Sequence, residues 1–74
     1  MGEKRETPEE RFKRIATTRT NAVLDKLRIL GNLSNRKLYS YSDEDVRRIF
    51  LAINKQTREV RAKFETRQEK RFRL

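Results

Sequence analysis

Two helix-start signals divide this sequence and constrain its fold more than any other feature. Thr7 is a favourable N-cap, Pro8 suits the first helical position, and Glu10 stands where a capping box needs an acid. Ser42 is a second N-cap residue. The acids at 43 to 45 fill the first turn after it, where they complement the helix dipole. The chain is therefore predicted to form two helices, one after each signal.

The apolar residues that follow each start recur at helical spacing. They are Phe12, Ile15, Ala16, Val23, Leu27 and Leu30 in the first helix, and Val46, Ile49, Phe50, Ile53, Val60 and Phe64 in the second. We call these two sets the apolar stripes, because such spacing places each set along one face of its helix. We expect the first helix to span about residues 8 to 30, with Gly31 as its C-terminal cap, and the second to continue to about residue 70.

A loop over residues 31 to 41 joins the two predicted helices, and Tyr41 and Val46 are placed as a hydrophobic staple at the second start. An antiparallel hairpin is the simplest arrangement in which the two stripes meet. Because facing stripes leave their flanks in water, the hairpin alone is marginal, and a homodimer would complete a four-helix bundle.

The predicted fold is all-α, with two long antiparallel helices. In this organisation residues 1 to 6 are a disordered N-terminus, residues 7 to 64 form the helical hairpin domain, and residues 65 to 74 form a basic C-terminal arm. The arm is separated from the hairpin because Arg67 and Arg71 occupy the face that is apolar up to Phe64.

The composition removes several functional classes. The chain has 74 residues and contains no Cys and no His, which excludes disulfide scaffolds, thiolate zinc sites and histidine acid–base catalysis. The carboxylates cluster at the two helix starts, where capping explains them, and no glycine-rich phosphate loop is present. We expect no catalytic residues, no cofactor and no metal, and therefore not an enzyme.

No apolar run approaches the roughly 20 residues that span a bilayer. The first ten residues lack the apolar segment of a signal peptide. We expect a soluble cytoplasmic protein with no membrane partner.

The positive charge is the strongest indication of a partner. Lys and Arg number 20 against 11 Asp and Glu, which gives a net charge of +9, and arginine, whose planar fork suits phosphate oxygens, predominates. The pattern indicates contact with a nucleic-acid backbone, and the alternatives are an acidic protein surface or a solvated helix face. The predicted nucleic-acid-binding residues are Arg36, Lys37, Tyr39, Arg47, Arg48, Lys55, Arg58, Arg61, Arg67, Lys70, Arg71 and Arg73.

The loop leaves two interpretations open. Tyr39 can stack on an unpaired base beside the charges of Arg36 and Lys37, but Asn32 and Asn35 are equally natural turn formers. RNA and DNA are not separated by the sequence: the loop aromatics favour unpaired strands, and a long rigid hairpin would equally suit a duplex backbone.

Arg19 interrupts the first apolar stripe. In an antiparallel hairpin with Leu30 near Val46, Arg19 lies opposite Thr57, so the core would carry a polar layer there. The simplest interpretation is a stem that packs while the charged head reaches water. The alternatives are a register-setting layer in an oligomer, or a slot for an anion.

No known family is indicated. The loop is too long for a helix-turn-helix, no strand precedes the first helix as in a ribbon-helix-helix, and Gly31 breaks the continuous helix that a leucine zipper needs. The nearest analogy is with small helical-hairpin dimers that bind RNA, a likeness of shape alone. The second hypothesis is an inhibitor or accessory subunit that docks on an acidic or nucleic-acid-binding surface of a larger complex. Its apolar anchors would be Leu24, Leu51, Phe72 and Leu74.

Overall fold

The computed structural model describes residues 5 to 69, with side chains described for residues 5 to 65. It contains helix α1 (Pro8–Gly31), a short 3₁₀ helix (Asn32–Ser34) and helix α2 (Asp43–Glu69), and the described range holds no β-strand. The predicted all-α class with two long helices is confirmed. The chain divides into two compact units between Tyr39 and Ser40, so that α1 belongs to the first unit and α2 to the second.

Helix α1 begins with the predicted capping box. The Thr7 hydroxyl accepts a hydrogen bond from the Glu10 backbone N–H, and the Thr7 backbone N–H donates to the Glu10 carboxylate, both at 3.0 Å. Glu6 adds a bridge to the second turn, because its carboxylate accepts two hydrogen bonds from Arg14 at 2.7 and 2.9 Å. These bonds, chiefly the hydrogen bonding from Arg14, lower the pKa of Glu6. The segment predicted to be disordered is thus anchored at its last residue, and residues 1 to 4 lie outside the described range.

Helix α1 ends differently from the prediction. Gly31 has φ −62° and ψ −22°, which are right-handed helical values, so it is the last residue of α1 and not a left-handed cap. The backbone N–H of Asn32 donates to the carbonyls of Ile29 and Leu30, and the chain tightens into the 3₁₀ helix. The assignment of Gly31 as a cap was wrong because a 3₁₀ turn satisfies the last carbonyls without a positive φ.

The connection to α2 is a compact turn built on Asn35. The Asn35 side-chain oxygen accepts from the Lys37 backbone N–H at 2.9 Å, and its backbone carbonyl accepts from Leu38 and Tyr39 at 3.1 and 3.0 Å. This is the turn-forming role that the sequence suggested for asparagine.

Helix α2 begins with a reciprocal box in which aspartate replaces the usual glutamate. The Ser42 hydroxyl accepts from the Asp45 backbone N–H at 3.0 Å, and the Ser42 backbone N–H donates to the Asp45 carboxylate at 2.9 Å. The predicted cap at Ser42 is therefore confirmed. Tyr41 and Val46, the predicted staple pair, are both half-buried.

The apolar stripes are present but open. Among the described side chains none is buried. Stripe positions Ile15, Leu30 and Ile53 are half-covered, whereas Phe12 and Phe64 are 57% and 62% exposed. Neither unit therefore has a buried core among its described residues, and the hairpin and the homodimer stay predictions. Within the described range, neither helix combines the length and the apolar character that a membrane span requires.

Candidate nucleic-acid interface

The described cations of α2 lie on the polar side of the helix and are all exposed. At about 100° per residue they form two rows, whose centres are separated by about 120° around the helix axis. We call them row one and row two. Row one contains Arg47, Arg58 and Arg61, and row two contains Arg48, Lys55 and Lys63. Leu51 and Ala62 lie between the rows.

Three of these cations are held by acids on the same helix. Arg47 donates two hydrogen bonds to the Glu44 carboxylate at 3.0 and 2.8 Å, which raises the pKa of Arg47. Arg61 donates to Glu65 at 3.0 Å. The Nζ of Lys55 lies 3.8 Å from the Oε2 of Glu59. All three pairs are well exposed, with Arg61 79% exposed and Glu65 59%. Exposed pairs of this kind contribute little to stability and exchange readily for another anion.

Arg58 is in a different position. The residues three and four positions away from it on either side are Asn54, Lys55, Arg61 and Ala62. No carboxylate therefore lies at helical pairing distance, and two cations do. Like charges at this spacing destabilise a helix slightly. Glu59 and Glu65 offset the charges of Lys55 and Arg61, so Arg58 is the cation of this group whose charge no carboxylate at pairing distance offsets.

Arg48 completes row two beside the start of α2. Its charge helps to lower the pKa of Asp45, although the backbone hydrogen bond from Ser42 is the largest cause and the Ser42 side chain the next. The carboxylate of Asp45 therefore accepts the hydrogen bond of the cap and also interacts with the charge of Arg48.

The loop residues of the predicted site belong to the first unit. Lys37 and Tyr39 donate their backbone N–H groups to Asn35, which fixes the turn and leaves both side chains exposed; the Tyr39 residue is 46% exposed. Arg36 is exposed on the same turn. The structure therefore brings these three residues together on one turn.

Arg19 is exposed on the stripe face of α1. Nearby, the hydroxyls of Thr17 and Thr18 donate to the carbonyls of Lys13 and Arg14 at 2.6 and 3.2 Å. Thr57, its predicted opposite, donates likewise to the carbonyl of Ile53 at 2.8 Å. These hydroxyls are occupied by the backbone of their own helices, and the anion slot stays a prediction.

Most residues of the C-terminal arm lie outside the described range. Arg67 lies in α2, but its side chain is not among those described, and Lys70, Arg71 and Arg73 lie outside the described residues, as do the proposed anchors Phe72 and Leu74. The other two anchors are visible: Leu24 is 55% exposed and Leu51 51%.

Acids accompany the site. The sequence already places Glu59 and Glu65 at ion-pairing distance from Arg and Lys, and in the structure they pair with Lys55 and Arg61. The pair of Glu44 with Arg47 was not predicted. Lys63 was also left out of the predicted set, although its spacing places it in row two.

Comparison of the chain with protein-family models, with curated proteins and with solved structures finds no match.

Proposed function

We propose that the protein is a small basic nucleic-acid-binding protein that grips the phosphate backbone through the Arg and Lys side chains of α2 and the C-terminal arm. The observation that carries the proposal is the position of Arg58 between Lys55 and Arg61, both of which are paired with glutamates of the same helix. Arg58 has no carboxylate within helical pairing distance, so its guanidinium is available to a phosphate.

The placement of charge along α2 supports the same proposal. Over residues 43 to 65, six cations stand against five acids, and three of those acids lie in the first turn. Glu44, Glu59 and Glu65 pair with Arg47, Lys55 and Arg61, so the positive charge of the rows beyond these ion pairs lies on Arg48, Arg58 and Lys63. A positive surface of this kind binds polyanions with counterion release and hence with strong salt dependence.

We further propose that α1 and α2 pair through their apolar stripes as an antiparallel hairpin. The register is the one that places Leu30 near Val46, because it also sets Val23 against Ile53 and Phe12 against Phe64. In a homodimer two such hairpins would form a four-helix bundle. The exposure of Phe12 and Phe64 within the separate units is the reason to expect such pairing.

A filter-binding assay at two salt concentrations, with structured RNA and duplex DNA, tests the function. We expect retention at low salt and strong weakening at high salt. The Arg58→Gln variant should bind more weakly, and Lys26→Gln on α1, which removes the same charge, is the matched control. Absence of retention at low salt would reject nucleic-acid binding.

A second candidate function is favoured by one observation. Leu24 and Leu51 lie off the two stripes and are 55% and 51% exposed, so a protein partner could cover them. This partner would present an acidic or nucleic-acid-binding surface, with the present chain as an inhibitor or accessory subunit. Binding anchored by apolar contacts would lose far less affinity with salt than phosphate binding does.

A further inference from the structure

We propose, on the basis of the proposed nucleic-acid function, that the ligand is a double helix and that the two rows of α2 contact its two phosphate backbones. The relevant chemistry is a pair of phosphodiester strands facing each other across a groove, which duplex DNA and duplex RNA share. The inference rests on the separation of the rows, on what lies between them and on the continuity of α2.

The separation of the rows suits two backbones. Row one and row two point about 120° apart on a helix whose diameter with side chains is roughly 10–12 Å. The major groove of B-DNA is about 12 Å wide, and A-form RNA presents a wide, shallow minor groove. Cations on the two flanks of one helix can therefore reach phosphates of both strands. A single strand has only one backbone and would use one row at a time.

The surface between the rows lacks the means to hold unpaired bases. It carries Leu51, Ala62 and, in the first turn, Glu44, and the aromatic residues of the described part of α2, Phe50 and Phe64, lie on the apolar stripe instead. Proteins that bind single strands combine charge with aromatic stacking platforms. Tyr39, the exposed aromatic of the turn, precedes α2 and belongs to the other unit.

The continuity of α2 fixes the cations along a line. The helix runs from Asp43 to Glu69 without Gly or Pro, and Arg47 and Arg61 are separated by roughly 21 Å along its axis. A duplex holds its phosphates at regular positions over such a distance. The fixed rows and the fixed backbones can then meet without the ordering cost that a flexible single strand would add.

The ion pairs of Glu44, Glu59 and Glu65 indicate which cations of the two rows contribute most to binding. Row one contains Arg58, which has no acid at pairing distance, and row two contains Arg48 beside the committed carboxylate of Asp45. We therefore expect these two arginines to contribute most in their rows. Arg47, Lys55 and Arg61 must first exchange a glutamate for a phosphate.

The test compares one sequence in four forms: duplex DNA, duplex RNA, single-stranded DNA and single-stranded RNA, each titrated at several salt concentrations. The six row cations should contribute about −5 to the slope of log affinity against log salt for the DNA duplex, in addition to what the C-terminal arm contributes. They should contribute about −2 for a single strand that meets one row, so the duplex slope should be steeper by about 3. Arg48→Gln and Arg58→Gln should each reduce the duplex slope by about 1. Lys26→Gln, on α1 outside both rows, should leave the duplex slope nearly unchanged.

The outcomes distinguish binding of a double helix from nucleic-acid binding in general. Tighter and steeper binding of either duplex, weakened by both row variants, supports the inference, and the DNA and RNA arms identify the source. Equal binding of single strands with equal slope, or a Lys26→Gln slope reduced as much as the slopes of the row variants, contradicts binding of a double helix through the two rows and leaves the proposed function standing. Absence of binding to all four forms at low salt overturns both.

Discussion

Asp45 and Ser42 bind each other twice, with the Ser42 backbone N–H donating to the Asp45 carboxylate at 2.9 Å and the Asp45 backbone N–H donating to the Ser42 hydroxyl at 3.0 Å. This pair of hydrogen bonds fixes the residue from which α2 begins. It also makes the start of the helix depend on an ionised carboxylate, because these hydrogen bonds lower the pKa of Asp45.

The first prediction concerns acid pH. Because the folded-state pKa of Asp45 is depressed, its stabilisation is fully present above the usual aspartate pKa of about 3.9 and is lost as the pH falls through the folded value. Glu6, whose pKa is lowered by Arg14, acts in the same direction. Circular dichroism from pH 7 to pH 2 should show helix loss mainly below about pH 4. In Asp45→Asn the pH-dependent part of this loss should shrink; an unchanged profile would contradict the role of Asp45.

The second prediction removes the cap without changing charge. Ser42→Ala deletes the hydroxyl that accepts from Asp45 and should destabilise the chain by about 1 kcal/mol. Ser40→Ala is the matched control, since Ser40 lies in the connection before the helix start. Urea unfolding of both variants measures the difference, and equal stabilities would argue against a structural cap.

The third prediction follows from the end of α1. Gly31 has helical dihedral angles, and a Cβ added there would meet nothing within 4 Å. Gly31→Ala should therefore stabilise the chain by about 0.5–1 kcal/mol, because alanine loses less backbone freedom on folding. Thermal unfolding measures the change. A clear destabilisation would show that the residue needs a left-handed conformation after all.

The two helix starts show how far local sequence determines structure. Thr7 with Glu10, and Ser42 with Asp45, form within four residues of chain, so their partners are fixed by spacing alone. The helix bounds followed from the same signals. The position of each apolar stripe on one face of its helix likewise follows from the helical spacing of its residues.

Other features depend on choices that spacing leaves open. Glycine can adopt left-handed or right-handed backbone dihedral angles. At Gly31 the 3₁₀ helix that follows requires the right-handed ones. Glu59 has a lysine four residues away on each side, at 55 and at 63. A helix favours the order in which Glu precedes Lys, that is Glu59–Lys63, yet in the structure the Glu59 carboxylate lies 3.8 Å from the ammonium of Lys55. Exposed side chains of similar reach differ too little in energy for the pattern to decide between them.

The fourth prediction tests the meaning of Arg19. Arg19→Leu would complete the apolar stripe of α1, so it should stabilise the proposed hairpin by about 1 kcal/mol and raise Tm by roughly 4–8 °C. Nucleic-acid affinity should remain close to that of the unmodified chain. A stable variant that no longer binds would instead assign Arg19 to an anion slot, and sedimentation of both proteins shows whether the oligomeric state changes with it.

Phosphate binding by α2 is tested most directly by the salt dependence of binding of the unmodified chain to duplex DNA. If α2 grips phosphates, log affinity should fall linearly with log salt, with a slope of about −5 or steeper. Arg58→Gln should make that slope shallower by about 1. A flat salt dependence, or no binding at low salt, would contradict phosphate binding by α2.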